Sequence, residues 1–375
     1  MPRPEPKGWC PGAHRPMQSG DGLIVRVRPR LARITPVQVR TLADLSLDLG
    51  NGLIDLTNRA NLQLRGIKPA DLEPLLLRLA EADLLDIDAE VERRRNVLCA
   101  PDWLEGDDTQ ALARELNHRL AELPVLPAKF SFVIDSGPEL ALAGETADLR
   151  IERALSGGLI LRAGLSALGA PITAEDAVSK LIALAHWHVA SGDGGRIAQC
   201  LTLPGVPNWA TPAELPAHSQ TKPRPGKVGL GHCVGFAFGR ITAQSLLKLP
   251  AVALRITPWR MVVLEGASQA PDVPGAIFDA DDPLLAVDAC PGAPDCAAAS
   301  VQTRAVAASI YVPVGTSLHV SGCAKGCARA RLAKVTLVGR DGRFDIVTNG
   351  CAWDKPVLHG LLPEDLSGAL NALCL

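Results

Sequence analysis

The chain has 375 residues, 47% of them apolar but only 3% aromatic, and a formal net charge of −2. Its length allows roughly two to three compact units, with cores that Leu, Val, Ile and Ala must fill. The near-balanced charge gives no overall field for nucleic acid or an anionic membrane, so any basic site has to be local, and no apolar run approaches the roughly 20 residues that span a bilayer.

The segment Met1 to Gly20 is polar, proline-rich and lacks the apolar centre of a secretory signal. That points to the cytoplasm, where thiols stay reduced and free to bind metal. Gly22 to Pro29 reads as a strand with Arg26 and Arg28 on one face and Val25 and Val27 on the other. Thr35-Pro36 opens a helix over Val37 to Leu49, closed by Gly50-Asn51-Gly52. A strand pair follows, Leu53 to Leu56 and Asn61 to Gly66, and alternation puts Asn61, Gln63 and Arg65 on a common face. With the arginines of the first strand this face is either a basic floor for an anion or an ordinary exposed sheet surface. Helices are expected at Ala70–Glu90, Asp108–Leu123 and Ala174–Ala190, with a strand at Phe130–Ile134.

The first block recurs. Gly239-Arg-Ile-Thr242 echoes Ala32-Arg-Ile-Thr35, and Leu254 to Gly266 echoes the Leu56 to Gly66 region at an offset of 200 residues. A strand–helix–strand unit repeated that far apart implies two pseudo-symmetric halves and not a short-period solenoid. Between them, Pro204 to Pro225 carries six prolines, a composition suited to an extended connector. Strands near Val335–Val338 and Phe344–Val347 and a helix at Glu364–Leu373 close the chain. Gly229 to Gly235 superficially suggests a dinucleotide loop, but Phe236-Ala-Phe238 after it reads as strand where that fingerprint needs a helix.

Four cysteines fall in two pairs, Cys290-Pro-Gly-Ala-Pro-Asp-Cys296 and Cys323-Ala-Lys-Gly-Cys327. Tight loops rich in glycine and proline suit a cubane iron–sulfur cluster, whose bulk demands close backbone approach. Zinc prefers shorter spacings, and a disulfide or buried thiols are the remaining readings. The segment Arg95 to Asp102 parallels Val287 to Asp295, but the first copy has a single cysteine, so only the second half can hold a cluster. Cys10, Cys99, Cys200, Cys233, Cys351 and Cys374 are scattered and read as ordinary thiols. His186 and His188, two apart on a helix, point too far apart to share a metal, whereas His319 stands just before the second cysteine pair.

The repeated block, Thr57-Asn-Arg-Ala-Asn-Leu-Gln-Leu-Arg-Gly66, Arg95-Asn-Val-Leu98, Leu126-Pro-Ala-Lys-Phe130 and the cysteine pairs together resemble the sulfite/nitrite reductase superfamily. Within it, Trp9-Cys-Pro-Gly12, Met17 to Leu23, Leu56 to Gly66 and His319 to Cys327 are similar to the precorrin-3B synthase family, over about residues 9 to 370. The resemblance implies an α+β fold of two pseudo-symmetric halves, each a ferredoxin-like half-domain followed by a reductase-like α+β domain. The expected boundaries are 12–68, 69–203, a linker at 204–225, then 226–280 and 281–375. It implies oxygen-dependent hydroxylation of precorrin-3A at the meso carbon between rings A and D, with γ-lactone formation, in aerobic cobalamin synthesis. The implied cofactors are a [4Fe–4S] cluster on Cys290, Cys296, Cys323 and Cys327 and a mononuclear non-haem iron. Electrons would come from NADH through a reductase or ferredoxin. Substrate carboxylates would meet Arg26, Arg28, Arg59, Asn61, Gln63, Arg65, Arg95 and Lys129, with His319 and Lys325 as catalytic candidates. Two departures stand out: Ser131 replaces the reductases' second lysine, and Lys325 replaces asparagine in the cysteine loop. Both weaken the alternative reading, a sirohaem sulfite or nitrite reductase.

Overall fold

The computed structural model describes residues 11–192, 196–200, 205–269, 271–313 and 315–373. Trp9, Cys10 and Cys374 of the motifs above therefore lie outside the described residues. In the first half the strands are β1 (Met17–Ser19), β2 (Gly22–Val27), β3 (Arg33–Ile34), β4 (Leu53–Leu56), β5 (Leu62–Ile67), β6 (Val97–Cys99), β7 (Phe132–Asp135), β8 (Leu149–Arg153), β9 (Leu159–Ala163) and β10 (Ala170–Ile172). The helices are α1 (Pro36–Asp48), α2 (Leu72–Glu81), α3 (Ala89–Arg94), α4 (Asp108–His118), α5 (Ala177–Ser191) and α6 (Ile197–Cys200). The second half supplies β11 (Gly226–Val228), β12 (Gly231–Phe236), β13 (Arg240–Thr242), α7 (Ala243–Lys248), β14 (Leu254–Ile256), β15 (Met261–Glu265) and β16 (Ala276–Ile277). It ends with β17 (Val287–Ala289), α8 (Arg304–Ser309), β18 (Leu318–Ser321), β19 (Ala333–Arg340), β20 (Arg343–Gly350), β21 (Leu358–Leu361) and α9 (Leu366–Ala372).

Helix α1 starts where its sequence says it should. Thr35 accepts from the Gln38 amide while the Gln38 side chain accepts from the Thr35 amide, a closed capping box with Pro36 behind it. The single helix expected over Ala70–Glu90 is broken. Asp83 adopts a left-handed φ of 55°, α2 ends, and Asp88 caps α3 through the amides of Glu90 and Val91. Nor does α4 reach Leu123: it stops at His118, and a 3-10 turn follows at Leu120–Glu122. The proline-rich connector is extended but not free. Single bridges tie Glu214, Pro216 and Ser219 to Gly169, Ala154 and Leu140. Gly226 to Phe236 is the hairpin β11–β12; the strand expected to run through Phe238 ends at Phe236, and a 3-10 turn at Ala237–Gly239 follows in place of the α-helix a dinucleotide loop needs.

The two ferredoxin-like sheets exchange a strand. Their orders are β1-β2-β5-β4-β13 and β11-β12-β15-β14-β3, so each is completed by a short strand from the other half. One large apolar core runs through both, joining Val25, Leu64 and Leu42 to Val234, Leu254 and Leu264. Beyond them lie two mixed sheets, β10-β9-β8-β7-β6 and β17-β18-β19-β20-β21. In each, the first three strands of the unit run parallel and the remainder antiparallel. The matching registers make Cys99 the equivalent of Ala289 and Ala100 the equivalent of Cys290.

Candidate functional site

Strands β17 and β18 are parallel neighbours, so their carboxyl ends open on the same side and deliver Cys290 and Cys323 together. The Gly322 amide donates to Cys290 Sγ at 3.2 Å, which joins the two loops directly. The first loop is held by Ala293 N–H to Val301 O, Cys296 N–H to Gly292 O and Ala299 N–H to Cys296 O. Gly292 turns it at φ 72°, and a side chain there would meet Thr303 at 2.6 Å. Burial raises the Cys290 thiol, as do Cys296 and Cys323, against the amides of Gly322 and Gly292. Cys327 is raised by burial and by Cys323, Cys290 and Cys296, with Lys325 opposing. Cys290 and Cys327 thus both lie within electrostatic reach of Cys296 and Cys323.

Among the described residues, no three His, Cys, Asp or Glu side chains converge on a single metal ion. Four thiols carried on two adjoining, glycine-rich loops are the donor type that iron–sulfur clusters take. No ligand set for the mononuclear iron emerges.

Behind these loops, Asp288, His319 and Thr336 form a row across β17, β18 and β19, where the first half has Leu98, Val133 and Arg150. His319 is 0% exposed, and neither ring nitrogen has a hydrogen-bond partner among the described residues. Burial pushes its pKa down to about 4, with Asp288 opposing and Arg329 reinforcing. Asp288 itself pairs with Arg260 at 3.2 Å and Arg329 at 2.8 Å. Lys325 is exposed in the loop between Cys323 and Cys327.

On the first ferredoxin-like sheet, Arg26 registers with Gln63 and Gln63 with Asp55. The side chains of Asn61 and Gln63 have no hydrogen-bond partner among the described residues; Asn61 closes its loop through its backbone to Thr57. Arg59 is half-buried. One of its terminal nitrogens donates to the Thr146 carbonyl, and the other is buried without a partner. Burial lowers its pKa to about 10 despite Glu145 and Asp148, with Arg150 and Arg26 adding to the fall. A cation left in this state is a seat for an anion.

Three of the expected carboxylate grips are otherwise engaged. Arg65 donates to Asp21, Asp55, Ser19 and the Asp295 carbonyl, which occupies Nε, Nη2 and one of the two Nη1 hydrogens. Arg28 and Arg95 converge on Glu92, a buried carboxylate, and Arg95 also meets Asp86 and the Leu84 carbonyl. Each of the three faces a protein carboxylate, while Arg28 Nε and Arg95 Nη1 are buried without a hydrogen-bond partner among the described residues. Lys129 is exposed in the turn before β7. Ser131, where the reductases have a second lysine, is buried against Asp148. His186 Nε2 donates to the Glu122 carbonyl, and His188 is buried against Phe130.

The second half's equivalent face is different. At the repeat offset, Asn61 corresponds to Met261, Gln63 to Val263 and Arg59 to Trp259, while the Arg26 position is taken by Cys233. Cys233, Met261 and Val263 form a closed apolar cluster with Val228, Leu230 and Trp259. Only one of the two pseudo-symmetric faces can receive a polar ligand. The sequence carries that asymmetry at the 200-residue offset, as polar residues in one copy and apolar ones in the other. The acid–base partners Asp55, Arg240, Asp295 and Arg304 were missed. Their signal was a reversal of charge sign between halves, Asp55 and Arg65 against Arg255 and Glu265.

Comparison with known proteins follows the same lines. The model of the nitrite/sulfite reductase ferredoxin-like half domain matches residues 15–82. A precorrin-3B synthase of Sinorhizobium sp. is 30% identical, with 93% of this chain and 84% of that protein aligned. A ferredoxin–nitrite reductase of Synechococcus elongatus is 23% identical over 97% of this chain and 88% of that protein. The Mycobacterium tuberculosis NirA structure superposes with a TM-score of 0.59 at 16% identity, covering 94% of this chain and 80% of that one, a likeness of fold.

Proposed function

The chain belongs to the precorrin-3B synthase family of the sulfite/nitrite reductase superfamily, and from that premise we propose how its residues carry the family's reaction. The enzyme is an oxidoreductase acting on the tetrapyrrole precorrin-3A, hydroxylating the meso carbon between rings A and D and closing the γ-lactone. The observation that carries the site reading is the asymmetry of the duplicated protein. One sheet face is polar and basic, one pair of strand ends carries four cysteines on two adjoining loops, and their pseudo-symmetric counterparts bear neither.

Arg59, with Arg26 beside it, grips carboxylates of the macrocycle, since guanidinium keeps its charge in a closed site and binds carboxylate through paired bonds. Asn61 and Gln63 offer both donors and acceptors on the same face and select the edge presented to dioxygen. Lys129, exposed at the rim, is a further cation for a peripheral carboxylate. Cys290, Cys296, Cys323 and Cys327 hold a [4Fe–4S] cluster. When bound, that cluster supplies single electrons, which ground-state dioxygen needs to react with a closed-shell substrate. His319, neutral at pH 7, can donate or accept one proton without first being discharged, and Lys325 places positive charge beside Cys327. Electrons from NADH arrive through a separate reductase or ferredoxin, and the protein works in the cytoplasm. Among the described residues no helix is long and apolar enough to cross a membrane.

The test is anaerobic incubation with precorrin-3A followed by labelled dioxygen. A product heavier by one oxygen atom taken from the gas supports the reading. A sirohaem spectrum with sulfite or nitrite turnover, and no change in precorrin-3A, would replace it with the reductase reading.

A further inference from the structure

Asp295, the residue before Cys296, is held by both halves of the molecule. Its carbonyl accepts from Ser19 Oγ at 2.5 Å, from the Gly20 amide at 3.1 Å and from Arg65 Nη2 at 3.3 Å. Its carboxylate meets Arg240 at 3.1 Å. Arg65, 1% exposed, forks onto Asp21 through two bonds of 2.9 Å and reaches Asp55 at 3.2 Å. Asp55 also takes Arg240 at 3.1 Å and Arg304 at 3.2 Å, and Arg304 opens α8, which follows the cysteine loop. Three arginines and three aspartates thus balance in charge, and they connect the β1–β2 turn, β5, β4, β13 and the loop of the first cysteine pair. The fit is close: a Cβ on Gly20 would stand 2.2 Å from the Pro294 carbonyl oxygen.

We propose that Arg65 is a positioning residue for the cysteine loop, fixing where Cys296 is presented and tying that place to the strand that carries Asn61 and Gln63. The proposal rests on the four cysteines being cluster ligands. Three bonds from outside the loop converge on a single carbonyl beside Cys296, and one of them comes from a buried cation locked by two carboxylates. Such a bond is directional and costly to break. The loop's other bonds stay within its own turn or reach the second cysteine loop and β18, so the bonds to Asp295, most of them at its carbonyl, are what tie it to the first ferredoxin-like sheet. Because Arg65 shares β5 with the substrate-facing side chains, loop and substrate face move as one body.

The experiment compares wild type with Arg65→Gln, Arg65→Lys and Ser19→Ala, all as full-length chains. Hydrogen exchange is followed at the amides of residues 291–301, with and without iron. Arg65→Gln should exchange there about tenfold faster, the effect of losing a hydrogen bond to a charged group, with β19 and β20 unchanged. Arg65→Lys should restore part of the protection, and Ser19→Ala should give a smaller increase of the same kind. In iron-loaded protein, chelator should strip the cluster about tenfold faster from Arg65→Gln, while affinity for the tetrapyrrole stays within about twofold of wild type. Unchanged exchange at 291–301 overturns the proposal. So does a large loss of tetrapyrrole affinity with the loop still protected, which would return Arg65 to the substrate. If wild type takes up no cluster while the exchange differences persist, the cluster reading fails and the positioning role stands.

Discussion

Asp55 is where the two halves meet, and removing its charge tests the joint most directly. Arg240 lies opposite it in the β4–β13 register, so a second-half strand enters the first sheet at a buried carboxylate. Burial pushes the Asp55 pKa up, but Arg304, Arg240 and Arg65 outweigh it and hold the group below its ordinary value. Asp55→Asn keeps the shape and leaves three arginines facing a neutral amide. Breaking a buried pair by deleting one partner costs about 3–5 kcal/mol. With about 2.1 cal/mol/K of unfolding entropy per residue, the whole 375-residue chain would lose about 4–6 °C in its unfolding midpoint. Calorimetry of iron-free protein at one scan rate measures this without interference from cluster loss. The control is Glu265→Gln, at the carboxylate of the charge-reversed pair in the second half. Glu265 pairs with only two arginines, Arg33 and Arg255, and keeps 22% of its side chain exposed, so its loss should shift the midpoint less. The pH dependence has a definite sign. A carboxylate depressed in the folded state stabilises above its unfolded pKa of about 3.9, and that contribution is lost as pH falls below it. The gap between wild type and Asp55→Asn should therefore narrow below about pH 4. A midpoint within about 1 °C of wild type at neutral pH, or a loss no larger than that of Glu265→Gln, would refute the reasoning.

Arg59→Ala should weaken precorrin-3A binding by about 10- to 100-fold, the worth of a hydrogen bond to a charged group, read by anaerobic fluorescence titration; an unchanged affinity would remove Arg59 from the site. His319, depressed to about 4 when folded, should stabilise the protein fully above about pH 6.5 and lose that contribution as pH falls towards 4. His319→Leu should abolish this part of the acid sensitivity in thermal melts of iron-free protein; equal slopes for the two proteins would speak against it. Gly292→Ala should strain the first cysteine loop, where φ is 72° and Thr303 leaves no room. After reconstitution its iron content should fall below wild type, whereas Gly315→Ala, equally left-handed but open, should load normally.

Much of this was readable in one dimension. Periodicity gave Val25 and Val27 to the core and Arg26 to the other face, Thr35-Pro36 opened α1, and the spacing of the four cysteines named the half that holds them. These are local properties: a strand alternates and a helix caps wherever the chain places them. The recurrence at 200 residues also announced two halves. What it did not disclose is that each half lends the other a strand, because pairing of β4 with β13 and β3 with β14 joins residues about two hundred apart. That exchange decides which charges meet. Composition could mark Arg65, Arg28 and Arg95 as basic and well placed for a carboxylate. Only tertiary packing set Asp21, Asp55, Glu92 and Asp86 against them first, and a buried guanidinium with carboxylates already in reach has no reason to wait for a substrate. Arg59 has no such partner within hydrogen-bond reach, and the same physics leaves it available.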